Sequence, residues 1–223
     1  MPIYKKYNKN FFTKWSREMT YILGFLFADG NIVKTKRGTH FVAIYTNDRD
    51  LLKKIRTFFG SNHKISATRS KTGICYRIQI GSVQWFNDLH SLGLVVNKTR
   101  RMKLPSIPSI YLGDFIRGYF DGDGNVWKGT LHAERVKPTP IIMMSFTSAS
   151  IDFLKGLRNL ISNEGVIGGS LYKPKIGNYG RLSYSVNDSL KIYKIMYNDP
   201  HTLFLERKKV VFEKFICSRS SVG

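Results

Sequence analysis

Two aspartates stand out by what surrounds them. Asp29 closes the run YILGFLFADG at 21–30, and Asp123 closes FIRGYFDGDG at 115–124. Each follows an apolar stretch and precedes a glycine. Each is therefore expected at a helix C-terminus, with Gly30 and Gly124 in the left-handed position that ends a helix. That end carries about −0.5 charge from the macrodipole. Two carboxylates brought together there repel unless a cation joins them. Mg²⁺ suits oxygen donors and is commonly held by one or two carboxylates with phosphate and water. Asp29 and Asp123 are the candidate metal ligands, and the terminal carbonyls of Ala28 and Gly122, which lack helical partners, stand beside them. The chemistry such a site suits is phosphodiester hydrolysis, with an activated water, a stabilised phosphoryl group and a leaving 3′ oxygen.

The helices that would position these groups have a smooth stripe. Gly24 and Ala28 lie four apart in the first, Gly118 and Gly122 in the second. Positions four apart share a helix face, and small residues there let another backbone come close. The natural partner of one smooth helix is the other.

The charge balance points to a polyanion. The chain has 36 Lys and Arg against 15 Asp and Glu, a net +21, far beyond the magnitude of about 2–8 that suits a small soluble domain. The basic residues are spread along the chain, which favours a folded basic surface over a charged tail. Nucleic acid is the partner this implies. No apolar run is long enough for a membrane span, and the basic N-terminus lacks the apolar core of a signal peptide. Cys75 and Cys217 form no disulfide framework or zinc pattern, so a reducing, intracellular setting is expected. HExxH and phosphate-loop motifs are absent from the sequence, and no Ser/His/Asp arrangement is legible.

The chain reads as a repeat. A basic, aromatic arm (1–15) leads to a helix capped by Ser16 over 17–28. A hairpin follows, with strands at 31–36 and 39–46, and then an amphipathic helix at 48–59. A second hairpin has strands at 63–69 and 74–81, and a short helix runs over 82–92. In the strand at 39–46, Phe41, Ala43 and Tyr45 are assigned to the core. In the second hairpin Ile65, Ala67, Ile78 and Ile80 point one way, while Lys64, Ser66, Thr68, Arg77 and Gln79 point the other. The first repeat spans 16–99, a linker 100–109, the second repeat 110–217 and a tail 218–223. The second half follows the same order, its first hairpin about seven residues longer, as the offsets of 94 for the aspartates and 101 for Thr46 and Thr147 indicate. Strand alternation nominates Lys34, Lys36, His40, Arg77 and Gln79 in the first repeat as DNA contacts. In the second it nominates Lys128, His132, Arg135, Lys173, Arg181 and Ser183.

The segments ILGFLFADG (22–30) and IRGYFDGDG (116–124) resemble the paired motifs of the single-chain LAGLIDADG homing endonucleases. The likeness extends over roughly residues 16–216. It implies an α+β fold of two pseudo-symmetric αββαββα repeats packed through the motif helices, with antiparallel sheets forming a saddle for DNA. It also implies a basic residue near each active site, matching Lys98 and, with Arg207 as rival, Lys208. Asn47 and Ser148 match positions that place a polar group near the water network. Phe27 stands where the second motif has Asp121, which is expected to face a basic residue.

The expected activity is that of a monomeric, site-specific endonuclease cutting both strands of a long, nearly non-palindromic double-stranded DNA and leaving short 3′ overhangs. Mg²⁺ is the expected cofactor, with Mn²⁺ or Ca²⁺ substituting for binding, and no protein or membrane partner is required. The absence of splicing residues at the ends suggests a free-standing or intron-encoded enzyme. Two rivals share the fold and charge: an intron RNA maturase, and a non-catalytic DNA-binding regulator.

Overall fold

The computed structural model describes residues 5–71, 73–96, 98, 101–132, 134–136, 139–198 and 203–220. The first four residues of the expected arm, residue 100 of the linker and the last three of the tail lie outside these. The chain forms two compact units, residues 1–122 and 123–223.

In the first unit, α1 (Arg17–Asp29) begins at Ser16, whose hydroxyl accepts the backbone N–H of Met19. It is apolar on every side and buried from Met19 to Phe27, as a core helix must be. The chain then enters β1 (Gly30–Lys34) without a turn and returns through β2 (His40–Thr46). After α2 (Arg49–Phe58) come β3 (Ser66–Ser70), β4 (Gly73–Gly81) and α3 (Val83–Ser91). The strands form one antiparallel sheet in the order β1-β2-β4-β3. A 3₁₀ turn at Ser109–Tyr111 leads into α4 (Leu112–Asp123). By its packing, α4 up to Gly122 belongs to the first unit.

The second unit repeats the pattern: β5 (Gly124–Leu131), β6 (Thr139–Ser148), α5 (Ile151–Asn163), β7 (Ser170–Tyr172), β8 (Gly180–Tyr184), α6 (Val186–Tyr197) and α7 (Glu206–Ser220). Its sheet order is β5-β6-β8-β7, again antiparallel. The α+β architecture of two repeated halves is as expected. Among the described residues no helix is long and apolar enough to cross a membrane.

Several local expectations change. The described part of the N-terminal segment is a packed aromatic plug. Phe11 and Phe12 meet Phe59 and Trp85 edge-on or tilted, Tyr7 meets His63 and Trp85, and the Trp85 indole N–H donates to the carbonyls of Asn8 and Lys9. Gly30 is not left-handed: its φ is −92°, and Gly124 also lacks a positive φ. Both open strands. Gly30 is required by crowding, since a Cβ there would lie 2.6 Å from the Leu26 Cα.

The core face of β2 is also not the expected one: of the three residues assigned to the core only Ala43 is buried. Val42 and Ile44 are buried and lie in register with Ile80 and Ile78, whereas Tyr45 is exposed beside Arg77. Phe41 and Tyr45 are as apolar as their neighbours, so alternation alone did not fix the parity. Gly30 pairs with Ile44 and Gly124 with Phe146, which makes the second hairpin eight residues longer, not seven.

Candidate functional site

The first unit brings the two motif helices together through their glycines. A Cβ on Gly24 would collide with the Phe115 carbonyl and lie 2.9 Å from the Tyr119 nitrogen. A Cβ on Gly118 would collide with the Tyr21 carbonyl and lie 3.0 Å from the Phe25 nitrogen. The contact is backbone on backbone, as the small-residue stripes require. Polar groups fill its margins. The Tyr21 hydroxyl donates to Asp121 at 2.7 Å, and Arg117 pairs with Asp114 at 2.6 Å while lying 5.4 Å from the centre of the Tyr21 ring. Burial pushes the Asp114 carboxyl up, against the pull of Arg117. Phe27, the counterpart of Asp121, instead packs its ring edge against Phe115.

The close approach continues to the end of α1. A Cβ on Gly122 would strike the Ala28 side chain and stand 3.3 Å from Asp29 Oδ2. The bare backbone at Gly122 thus leaves a cradle beside the half-buried Asp29 carboxylate. The donors assembled here are a carboxylate and helix-end carbonyls, oxygen throughout. That chemistry fits a hard divalent cation. Among the described residues there is no group of three or more His, Cys, Asp or Glu suited to a metal.

Lys98 reaches the same helix end. Its amine donates to the carbonyls of Leu26 at 2.7 Å and of Phe27 and Ala28 at 2.6 Å each. The Ala28 carbonyl, an expected metal ligand, is therefore already engaged. In the second unit Lys208 is buried and donates to the Gly124 carbonyl at 2.6 Å, just beyond Asp123. Arg207 is exposed. The end of α1 thus has a lysine seated on its carbonyls, a cation where the macrodipole favours one, and Lys208 sits on the first carbonyl of β5, directly after Asp123.

Asn47 and Ser148 do not occupy equivalent places. The Ser148 hydroxyl accepts the N–H of Ser150, the N-cap of α5. The same bond in the first repeat runs from Asp48 N–H, at the N-cap of α2, to Thr46. Ser148 therefore corresponds to Thr46 and is used in a strand-to-helix turn. Asn47 is exposed, one residue further on. The register that reveals this depends on the hairpin lengths, which the sequence offset misjudged by one.

The nominated DNA contacts divide by strand face. Arg77 and Gln79 lie on the face of the first sheet opposite Ile78 and Ile80, with Ser66 in register beside Arg77. Lys34 and His40 pair on the other face. His40 there meets the ring of Phe86 at 4.6 Å between centroids, on the helix side of the sheet. It was nominated through the mistaken parity of β2. Lys36 is exposed in the hairpin turn. In the second sheet Arg181 and Ser183 lie on the face away from the buried Leu182 and Tyr184. Lys128 takes the parity of the buried Ile142 yet is exposed. His132 and Arg135 sit at the hairpin tip, joined by an Arg135 N–H to His132 carbonyl bond, and Lys173 is exposed after β7. Residues that sequence reasoning missed include Tyr45, outward beside Arg77, and Trp127, outward on β5.

The family described as the LAGLIDADG-like domain matches residues 16–91 and 111–195. A protein of Methanocaldococcus jannaschii, named only as uncharacterized, is 28% identical over 124 residues, 53% of this chain and 43% of its own. The chain thus spans less than half the length of that relative. Among solved structures, the meganuclease I-SmaMI bound to uncleaveable DNA is 17% identical, with TM-score 0.61 over 88% of each chain. I-SmaMI bound to an uncleaved DNA target in the presence of calcium ions is 15% identical, with TM-score 0.60 over 91% of this chain and 90% of that one. Mesophilic variants of the homing endonuclease I-DmoI are 14% identical, with TM-score 0.57 over 82% and 97%. These likenesses are likenesses of fold.

Proposed function

The chain belongs to the LAGLIDADG family, and we propose that it is a divalent-metal-dependent, site-specific endonuclease. In this reading it cuts both strands of a long, nearly non-palindromic DNA duplex and leaves short 3′ overhangs. The observation that carries the reading is the backbone contact of the two motif helices, which sets Asp29 beside the bare backbone of Gly122.

Asp29 and Asp123 would hold the cation, with the Gly122 carbonyl as a further donor. The Ala28 carbonyl is the weakest of the four nominated ligands, because Lys98 already donates to it. Mg²⁺ is the fitting ion, and Ca²⁺ would support binding, as it was present with DNA in the I-SmaMI structure. When bound, such an ion offsets phosphoryl charge and acidifies a coordinated water. Lys98 and Lys208 hold positive charge at the two helix ends and would stabilise developing charge on the phosphate. Asn47 would orient the surrounding water. Ser148, engaged in its turn, is not given that part.

Outward side chains on the two sheets would meet the duplex. Arg77, Gln79, Arg181 and Ser183 are suited to base edges in the major groove. Lys36, His132, Arg135 and Lys173 would serve the phosphates, and Lys34 and Lys128, on the opposite parity of their strands, are not given that part. One chain carries both motifs, so a monomer suffices. The test is incubation with Mg²⁺ and a library of long duplexes, followed by sequencing of the ends. A reproducible double-strand break at one sequence supports the reading, and its absence refutes it.

A further inference from the structure

The outward faces of the two sheets differ in chemistry. That of the first offers Arg77, Gln79, Ser66 and Thr68. That of the second is largely apolar along its long hairpin. Trp127 is directly opposite Met143, and both point away from the buried row of Ile142, Met144 and Phe146. Trp127 is 50% exposed, Met143 39% and Leu131, two residue pairs along the same face, 49%. The Trp127 ring lies against Gly129, where a Cβ would stand 2.8 Å from the indole Cη2. The glycine thus keeps a broad apolar surface level with the sheet. Exposed Arg181, on β8, shares this outward face, and Arg135 is exposed at the tip of the same hairpin.

An exposed apolar patch of this kind is uncommon on a surface otherwise so cationic, and it marks a contact. The cationic border selects a polyanion. A two-stranded ribbon fits the major groove of B-DNA, whose one apolar feature is the C5-methyl of thymine. We infer that the Trp127–Met143–Leu131 face reads thymine methyl groups, so that one half of the target is selected by apolar contact added to the hydrogen bonds of Arg181 and Ser183, and the other by hydrogen bonds from Arg77 and Gln79 alone. The inference rests on the endonuclease reading and deepens it, by naming the specificity residues of one half-site and what they recognise.

The experiment uses the full chain with Ca²⁺ to select bound sequences from a random duplex library. The selected duplex is then remade with deoxyuridine in place of thymine in each half separately, which removes only the methyl. Binding is expected to weaken about fourfold for each methyl lost from one half, by the transfer free energy of a buried methylene-sized group, and to be unchanged by substitution in the other. Trp127→Ser and Met143→Ser should lose this sensitivity while keeping the preference that Arg77→Ala abolishes. Equal tolerance of deoxyuridine in both halves would overturn the inference and leave the endonuclease reading standing. If that tolerance came with a dimer that Trp127→Ser dissolves, the patch would belong to a second copy of the chain. Failure to enrich any sequence would overturn both.

Discussion

The amine of Lys98 donates to the carbonyl of Ala28 at 2.6 Å, one residue before the motif aspartate. The same amine reaches the two preceding carbonyls, so one side chain partners Phe27 and Ala28 at a helix end that leaves terminal carbonyls open, and adds a second donor to Leu26, which also accepts the Gly30 N–H. It also sets a positive charge where the helix dipole and Asp29 crowd negative charge. In the second unit Lys208 donates instead to the carbonyl of Gly124, the residue after Asp123. Lys98 therefore holds the helix end that presents the Asp29 carboxylate.

Lys98→Met keeps the length of the side chain and removes the charge and its donors. It should lower unfolding stability by about 1–2 kcal/mol, the scale of a well-placed cation at a helix C-terminus. Urea denaturation measures this. An unchanged midpoint would mean that the amine contributes nothing to holding the helix end.

The helix contact admits no side chain. Gly24→Ala or Gly118→Ala would push a methyl into the opposing backbone, which cannot move aside as a flexible side chain can. Overpacking of this kind costs about 1–3 kcal/mol or more. Either variant should show a lowered denaturation midpoint and reduced cleavage together. Full stability in both would contradict the close packing.

Tyr21→Phe removes the hydroxyl that donates to the buried Asp121 carboxylate. The expected loss is about 1–3 kcal/mol, the cost of depriving a buried acceptor of a partner. The double variant Tyr21→Phe, Asp121→Leu should recover part of it. Additive losses would show that the two residues do not act as a pair.

His63 gives a pH dependence. Burial, with Lys5 adding to it, holds its imidazole below the ordinary value of 6.5. The folded state therefore prefers the neutral ring, and its contribution to stability is present above pH 6.5. It is lost as pH falls from there through the lowered folded value, because the unfolded chain takes up the proton first. Denaturation of wild type and His63→Gln between pH 7.5 and 5 should show the wild type losing more on acidification. Parallel curves would contradict the assignment.

The periodic features of the fold were legible, and those that depend on parity or handedness were less so. Ser16 caps the helix it precedes, as its place before an apolar helical pattern suggests, and Asp48, Ser82 and Ser150 do the same in the structure. The strands were found, yet β2 was turned over, since both of its faces are apolar and burial there is decided by register with Ile78 and Ile80. That single inversion misplaced His40 and hid Tyr45. The glycines after the aspartates suggested left-handed caps, but both open strands, and Gly30 is needed for space. Lys98 and Lys208 came from the family resemblance alone. Nothing in their local sequence shows that a lysine 70 residues from Ala28 in sequence will close its helix.

The central claim is that Asp29 and Asp123 hold the cation that cleavage requires, while the sheets bind DNA independently of it. It is tested most directly by measuring, on one selected duplex, both binding in Ca²⁺ and double-strand cleavage in Mg²⁺ for wild type, Asp29→Asn and Asp123→Asn. Cleavage by wild type, none by either variant, and binding kept within a few-fold in all three is the predicted result. Cleavage that survives in either variant would contradict the account.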